Sequence, residues 1–366
     1  MKILHYVDEN MLSWSRPWLQ LLEEIGKKED VEQAILCRPG GTLKRQAEEA
    51  GFKVFAYKPA AAWCPPLCRG FKEILEDFKP DIVHTRLSTA SAIAGYWATK
   101  ARIPVVSTVD KYPKGKYYVN SSLLVAPSRA VARHMKDQGF GGEKIVIIAN
   151  PIRVADYAPK EEERTRFRSA EGIDENTLVL LAMGRFVAWK GFDLLIEATA
   201  SLKTDKPFCL WIVGDGPMRE DLLQKTKRHF AETDPGKVRF FPFAEDVRPY
   251  LWAADLFVQP SFYVPGSGGP EGFSLALVEA LAAGLPAVAF DCGGAPDIVK
   301  EGVNGWLAEP GNVNSLRGAL QRALNHLPDG KMRAQAMQKA AKLDVSCVAA
   351  SYLEVYQSFY PLGRLT

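Results

Sequence analysis

The sequence predicts an α/β protein with two doubly wound domains, and three observations support this fold class. The chain has 366 residues, which suits two domains of ordinary size better than one. Its composition, 47% hydrophobic and 24% charged, is that of a soluble globular protein with ample core. Short apolar runs alternate with helical stretches in both halves of the chain, as they do in doubly wound folds.

The apolar runs are near-continuous, which is typical of parallel strands covered on both faces. In the first half they occupy residues 2–7, 31–37, 53–57, 81–84, 105–109 and 123–126. Helical patterns lie between them at residues 17–26, 42–50, 67–78 and 90–101. In the second half the apolar runs occupy residues 178–183, 208–213, 238–241, 256–259 and 286–290. We therefore expect one parallel sheet in each half.

The domain boundary is expected just beyond Asn150-Pro151, where prolines disfavour a helix. We assign residues 1–155 to an N-terminal domain and residues 156–344 to a C-terminal domain. Residues 345–362 have apolar spacing suited to a helix, and we expect this helix to pack back onto the N-terminal domain.

The charge distribution favours an anionic partner for the N-terminal half. Residues 1–150 hold 22 Lys and Arg against 16 Asp and Glu, a net of +6, whereas the whole chain carries +3. A phosphorylated acceptor or a lipid surface would suit this excess, and random surface variation explains it equally well. The basic residues form no dense patch, so we expect no nucleic-acid partner.

The cysteines and the longest apolar runs indicate a cytoplasmic protein. Six scattered cysteines fit a reducing compartment. Cys64 and Cys68 are close, but two prolines separate them and no histidine cluster follows, so no metal site is expected. No apolar run approaches the roughly 20 residues of a membrane-spanning helix, and the N-terminus does not resemble a signal peptide.

The residues that follow each strand of the C-terminal half are the site candidates, because parallel sheets bind ligands at the carboxyl ends of their strands. Gly184 allows a sharp turn after the run 178–183. Arg185 and Lys190 then precede a helix, whose dipole also favours anions. A forked guanidinium and a compact ammonium suit a diphosphate, and two solvated side chains are the alternative.

The strongest segment is residues 271–279, which follow the glycine-rich loop 265–270 and open a helix. Free backbone N–H groups at the start of this helix would cradle a phosphate. Glu271 and Glu279 would accept hydrogen bonds from two sets of sugar hydroxyls. Because apolar residues flank Glu279, this carboxylate needs a partner, and an ion-paired structural glutamate is the alternative.

Together these motifs resemble the retaining GT-B glycosyltransferases, specifically glycosyltransferase family 4. The matching pieces cover nearly all of residues 178–312, and they are Gly184-Arg185, Lys190-Gly191, residues 213–217, Glu271 and Glu279 around Gly272-Phe273-Ser274, residues 284–286, Gly293-Gly294 and residues 301–305. The N-terminal half matches more loosely, through residues 81–84, 104–110, Pro127-Ser128 and Asn150-Pro151. The resemblance implies the GT-B fold, in which two Rossmann-like domains face a central cleft.

The resemblance also implies roles for individual residues. Arg185 and Lys190 would hold the donor diphosphate, Glu271 would contact the transferred sugar, and Glu279 would bind the ribose. Further donor contacts are expected at Gly184, Phe243, Gly272, Phe273, Ser274 and Leu275. The donor would be a nucleotide-diphosphate sugar, with UDP favoured over GDP or ADP. Relatives usually work without a bound metal, and we expect no cofactor.

One departure from the family lies after the run 105–109. Relatives often carry His-Gly or His-Asp there, whereas this sequence has Asp110-Lys111. Asp110 either touches a sugar hydroxyl, which makes it a catalytic candidate, or caps a turn. His84 is expected to end a neighbouring strand, where it either faces the same cleft and contacts the acceptor or is a structural hydrogen-bonding group. The first loop, residues 8–16, lacks the paired glycines of many relatives and carries Ser13 and Ser15 instead.

The acceptor is expected to dock on the N-terminal domain. Three lysines beside tyrosines follow the run 105–109, namely Lys111, Lys114 and Lys116. Basic and aromatic residues together suit a phosphorylated saccharide, and a solvated loop is the alternative.

The function implied by the resemblance is sugar transfer, with retention, to a saccharide or glycolipid acceptor in lipopolysaccharide or envelope polysaccharide synthesis. The enzyme would be cytoplasmic, with peripheral contact at the inner face of the cell membrane. Two alternatives stay open: a nucleotide-sugar 2-epimerase type of enzyme on the same fold, and a noncatalytic subunit that binds a sugar nucleotide.

Overall fold

The structure is a computed structural model that describes residues 1–12, 14–204, 206–230, 236–266 and 270–360. These residues form 13 strands and 14 α-helices. The strands β1 to β13 are Lys2–Val7, Glu32–Cys37, Lys53–Ala56, Ile82–Arg86, Val105–Thr108, Leu123–Ala126, Ile145–Ile147, Leu178–Met183, Phe208–Val213, Val238–Phe241, Leu256–Gln259, Ala287–Phe290 and Gly305–Ala308. The helices α1 to α14 are Ser15–Ile25, Gly41–Glu49, Arg69–Phe78, Ser88–Lys100, Arg129–Asp137, Glu161–Ala170, Phe192–Ala200, Arg219–Phe230, Arg248–Ala253, Leu275–Ala282, Ala295–Ile298, Val313–His326, Gly330–Ala341 and Val345–Phe359.

The chain divides into two compact units. One consists of Met1–Arg153 together with the C-terminal segment that begins at Asp344, and we call it the N-terminal domain. The other, Val154–Leu343, is the C-terminal domain. Helix α14 joins the N-terminal domain because its apolar face packs against α1, where Tyr352 and Leu353 share a core with Trp18 and Leu22.

The N-terminal domain is built on a seven-stranded parallel sheet with the order β3-β2-β1-β4-β5-β6-β7. Alternate residues of its strands enter different cores, as strand geometry requires. Ile3 and Ile35 pack on the side of α1 and α14, whereas Leu4 and Leu36 pack on the side of α3 and α4. Both faces are therefore covered, which explains the near-continuous apolar runs.

The C-terminal domain is built on a six-stranded parallel sheet with the order β10-β9-β8-β11-β12-β13. Leu180 lies in one core with α7 and α12, and its neighbour Leu181 on the opposite face is also fully buried. Strands β7 and β13 are absent from the predicted set, because β7 has only three residues and β13 begins at Gly305, a residue type that is depleted in strands.

A buried polar cluster lies inside the N-terminal domain, where β1, β4 and β5 meet α14. The His84 ring bonds the Tyr356 hydroxyl through Nδ1 at 2.5 Å and the Thr108 hydroxyl through Nε2 at 2.8 Å. His5 lies beside it, with ring centroids 5.6 Å apart. Burial, reinforced by the nearby charges of His5 and Arg86, holds the pKa of His84 well below its usual 6.5.

The prediction that His84 ends its strand is wrong, whereas its predicted contact with an acceptor stays a prediction. Strand β4 continues to Arg86, so His84 lies in mid-strand, buried, with both ring nitrogens engaged. Its two hydrogen bonds agree with the alternative, in which His84 is a structural hydrogen-bonding group. The strand runs on past His84 because Thr85 and Arg86, although polar, find buried partners in the fold.

The buried histidines should make the stability of the N-terminal domain depend on pH. Burial lowers the pKa of His5 from 6.5 to about 4, even though its bond to Gln33 opposes the shift. The unfolded chain binds the proton near 6.5, so this stabilisation is present above pH 6.5 and is lost as the pH falls towards 4. The loss from His5 alone should be roughly 3 kcal/mol.

Urea unfolding at several pH values between 7.5 and 5 measures this dependence. The control is His5→Asn, which cannot titrate and should give a shallower slope of unfolding free energy against pH, whatever its absolute stability. Equal slopes for the two proteins would contradict the assignment.

Candidate functional site

The loops after β8, β9, β10, β11 and β12 leave the C-terminal sheet at the same edge, because all of its strands are parallel. Two glycines let these loops touch. A Cβ on Gly191 would lie 2.1 Å from the Pro260 carbonyl oxygen, and one on Gly293 would lie 2.1 Å from that of Glu271. Both glycines have φ near +60°, which side chains disfavour. The loop after β11 therefore lies in close contact with the loops after β8 and β12.

Lys190 and Glu271 form an ion pair on this edge. The Lys190 ammonium lies 3.2 Å from Oε1 and 3.0 Å from Oε2 of Glu271, and the two side chains are 13% and 23% exposed. The Lys190 side chain also folds over Gly184, where a Cβ would lie 3.4 Å from its Cε. The structure thus brings together a predicted phosphate-binding cation and a predicted sugar-binding carboxylate.

Two further polar side chains complete this cluster. Gln259 ends β11 and donates from Nε2 to Glu271 Oε2 at 2.7 Å. Its Oε1 accepts from the hydroxyl of Ser274. Sequence reasoning missed Gln259, because an uncharged amide at the end of an apolar run carries no motif. Ser274 was expected to contribute its backbone, and its side chain proves to be engaged as well.

Helix α10 begins at this cluster. Ser274 is its N-cap and accepts from the Leu277 N–H at 3.2 Å. The N–H groups of Leu275 and Ala276 lie in the first turn, where a helix offers them no intrahelical acceptor. Gly272, Phe273 and Ser274 are buried, so Leu275 is the most accessible of the predicted backbone contacts.

Glu279 lies one turn further along α10 and is half-buried. Its Oε1 accepts from the hydroxyl of Tyr157 at 2.9 Å. Tyr157 belongs to a short 3₁₀ segment, Val154–Tyr157, which packs against α10. The sequence offered no signal for Tyr157, because this stretch reads only as a domain boundary.

Arg185 and Phe243 are the exposed members of the predicted set. Arg185 follows β8 at the carboxyl edge and is exposed. Phe243 follows β10 at the same edge, and its side chain is 72% exposed. An exposed ring beside a strand end is suited to stack on a nucleotide base.

In the N-terminal domain, Asp110 is bound to Arg86. The Arg86 Nη2 donates to Asp110 Oδ1 at 2.5 Å and to Asn150 Oδ1 at 2.8 Å, and the guanidinium lies 4.4 Å from the centre of the Trp14 ring. Burial opposes the charge of Arg86, but Asp110, together with Tyr352 and Tyr356, outweighs burial and raises the pKa of the guanidinium. Asp110 is therefore an ion-paired side chain at the carboxyl end of β5, a state that neither sequence alternative included.

Lys111, Lys114 and Lys116 are exposed, so their predicted acceptor role stays a prediction. Tyrosines of the same segment hold it against the domain: Tyr118 is buried, and the Tyr112 ring packs edge-on against His134. In the first loop, the carboxylate of Asp8 accepts hydrogen bonds from Nε and Nη2 of Arg38. Ser13 and residues 267–269 lie outside the described residues.

The part of the chain that the structure describes shows two further absences. It contains no group of three or more His, Cys, Asp or Glu side chains that could hold a metal ion. None of its helices combines the length and the apolar character that crossing a membrane requires.

Both domains are doubly wound, and the second gathers cations, carboxylates and a helix start at the carboxyl edge of its sheet, where proteins of this class bind ligands. Family models match both domains: residues 19–156 match Glycosyltransferase Family 4, and residues 163–343 match Glycosyl transferases group 1. The chain belongs to these glycosyltransferases. The predicted family resemblance and the GT-B fold class are confirmed.

Similar proteins come from several bacteria. The lipopolysaccharide core biosynthesis glycosyltransferase LpsE of Rhizobium meliloti is 26% identical over 88% of this chain and 88% of its own length. A UDP-Gal:α-D-GlcNAc-diphosphoundecaprenol α-1,3-galactosyltransferase of Escherichia coli is 25% identical over 82% of this chain and 81% of its own. The crystal structure of Anabaena HepE in complex with UDP matches 98% of this chain and all of its own, with a TM-score of 0.84 and 22% identity.

The Arg86–Asp110 pair should be a large source of stability. Removing Asp110 by Asp110→Ala leaves a buried guanidinium without its carboxylate, which should cost about 3 kcal/mol of unfolding free energy. The double variant Arg86→Gln with Asp110→Asn removes both charges and keeps hydrogen-bonding groups, so it should lose less. Denaturant unfolding followed by circular dichroism compares them; a single variant that loses under about 0.5 kcal/mol would show that the pair is not structural.

Proposed function

We propose that the protein is a retaining glycosyltransferase that moves a sugar from a nucleotide-diphosphate sugar to a saccharide or glycolipid acceptor. The observation that carries this proposal is the cluster at the carboxyl edge of the C-terminal sheet, where Lys190, Glu271 and the start of α10 meet. The names of the relatives support lipopolysaccharide or envelope polysaccharide synthesis as the setting. UDP in HepE and UDP-Gal in the Escherichia coli relative favour a UDP-sugar donor.

In the proposed mechanism the enzyme stabilises the leaving group and aligns the reactants. The bond between the anomeric carbon and the diphosphate oxygen breaks, and the acceptor oxygen bonds the same carbon from the same face. The proton of the acceptor hydroxyl passes to the departing diphosphate. Arg185, Lys190 and the first-turn N–H groups of α10 would take up the negative charge of the departing diphosphate. We assign no protein nucleophile.

The other side chains would bind and orient the donor. Glu271 would accept from hydroxyls of the transferred sugar, and Glu279, steadied by Tyr157, would accept from the ribose. Phe243 would stack on the base. Asp110 keeps carboxylate lone pairs beyond those used by Arg86, and we propose that it accepts from a sugar hydroxyl.

The donor assignment is tested by thermal unfolding with UDP, GDP, ADP and their sugars, because a ligand that binds the native state raises its apparent stability. UDP and a UDP-sugar should raise the unfolding temperature. The double variant Arg185→Ala with Lys190→Ala should stay folded, lose this stabilisation and lose sugar transfer, because two cations that bind the diphosphate are gone.

The matched control removes two cations from the end of α8, by Lys227→Ala with Arg228→Ala. A helix that follows a strand ends at the opposite edge of the sheet, so this variant should bind and transfer like the wild type. Normal transfer by the Arg185/Lys190 variant would refute the donor site. Conversion of the donor into its epimer without any acceptor would favour the epimerase instead.

We also propose that the enzyme works in the cytoplasm, in peripheral contact with the inner face of the cell membrane. The loop between β3 and α3 exposes Trp63, whose side chain is 85% exposed, and Leu67. The exposed cations Lys58 and Arg69 flank these two residues in the sequence. An aromatic ring beside basic side chains suits the interface of an anionic bilayer.

Flotation with anionic liposomes at low salt measures this contact. Trp63→Ser with Leu67→Ser should reduce the floated fraction several-fold, whereas Val119→Ser, which removes another exposed apolar side chain of the same domain, should not. If the wild type does not float, the membrane contact is refuted; if both variants float like the wild type, the loop is not the contact surface.

A further inference from the structure

Gln259 joins the two parts of the candidate site. It is the last residue of β11, and it is 6% exposed. One end of its side-chain amide bonds Glu271 and the other end bonds Ser274, the N-cap of α10. A buried amide with a partner at each end costs little to bury, whereas the loss of either partner leaves an unsatisfied group.

The direction of every bond in this chain of contacts is fixed by chemistry. An ionised Glu271 carboxylate only accepts, so the NH₂ end of Gln259 must face it. The carbonyl end then faces Ser274, whose hydroxyl must donate. The Ser274 oxygen in turn accepts from the Leu277 N–H at 3.2 Å. Donation therefore runs in one direction, from the first turn of α10 through Ser274 and Gln259 to Glu271.

The carboxylate of Glu271 is held from two sides by different kinds of donor. Lys190 contributes a compact charge on a flexible stem, which attracts the carboxylate without setting its rotation. Gln259 contributes a planar amide, packed in the sheet edge, that bonds Oε2 alone. Since a carboxylate offers about four acceptor positions, Oε1 keeps room for a sugar hydroxyl.

We propose that Gln259 is a positioning residue, which sets the rotation of the Glu271 carboxylate and couples it to the start of α10. This inference rests on the proposed function, in which Glu271 contacts the transferred sugar and α10 contacts the diphosphate. Gln259 acts through these two partners. Its loss should therefore reduce turnover far more than it reduces binding of the nucleotide.

Gln259→Glu separates positioning from structural support. The new carboxylate still accepts from Ser274, so the N-cap is kept, but it has no hydrogen to donate to Glu271. Two carboxylates then face each other beside one lysine, and repulsion raises the pKa of one of them. As the pH falls, the shared proton restores a donor between them. Gln259→Leu removes both bonds at every pH.

The experiment measures UDP release from UDP-glucose and from UDP-galactose, and UDP binding by calorimetry, between pH 6 and pH 8. For Gln259→Glu at pH 8, we expect turnover at least tenfold below that of the wild type, UDP affinity within about threefold, and partial recovery of turnover at pH 6. Gln259→Leu should lose turnover without recovery. Gln224→Glu, which adds the same charge at an exposed position of α8 and can still accept from Arg228, should behave as the wild type.

The outcomes distinguish the inference from the function on which it rests. Turnover of Gln259→Glu within twofold of the wild type at pH 8, or equal losses at every pH for the Glu and Leu variants, would overturn the positioning role. A wild-type protein that neither binds UDP nor releases it from either sugar nucleotide would instead overturn the proposed donor.

Discussion

The direction of the strands is the constraint on which the rest of this structure depends. Every strand pair in both sheets is parallel, so a crossover must connect each strand to the next. The carboxyl ends of all strands in a sheet therefore lie at the same edge. Residues far apart in the chain become neighbours there: Lys190 follows β8, Gln259 ends β11, and Glu271 lies on the loop beyond it. The site is thus a property of topology before it is a property of any one side chain.

The second constraint is that buried polar groups need partners, and it explains the conformations of several polar side chains in both domains. Arg86 is stable in the interior because Asp110 and Asn150 accept from it. His84 is stable there as a neutral ring between two hydroxyl groups. In the C-terminal domain the same requirement ties Glu271 to both Lys190 and Gln259. Each pairing also fixes a geometry, which is what a binding site needs.

Much of the fold could be predicted from the sequence, because apolar runs indicate buried strands and glycines indicate turns without reference to distant residues. The run 178–183 coincides with β8, and Gly184 with the turn after it. The predicted run 81–84 stops two residues before the end of β4, because Thr85 and Arg86 are polar and their buried partners are not visible in the sequence. Those partners lie on β5, α4 and the segment before residue 151, and no local pattern reveals them.

The candidate site shows the same division. Charged residues at strand ends could be predicted from the sequence, since cations beside a helix N-terminus favour binding of an anion whatever their other contacts are. Gln259 and Tyr157 could not, because an amide or a hydroxyl gains its role only from the carboxylate it meets. Sequence reasoning therefore finds the groups that would carry charge to a ligand, and it misses the groups that orient them.

The ion pair between Lys190 and Glu271 reduces the net positive charge that the site presents to an approaching anion. Because Glu271 neutralises Lys190, the pair as a whole offers little net attraction to a diphosphate at a distance. Arg185 is exposed and lies outside that pair, so in the proposed donor site the long-range attraction for a diphosphate would come chiefly from its guanidinium and from the dipole of α10. In the proposed donor site, Lys190 would become effective only when a ligand draws its ammonium away from the carboxylate. The same movement would free lone pairs of Glu271 for a sugar hydroxyl while Gln259 keeps the carboxylate oriented, so diphosphate and sugar would engage the site together rather than independently.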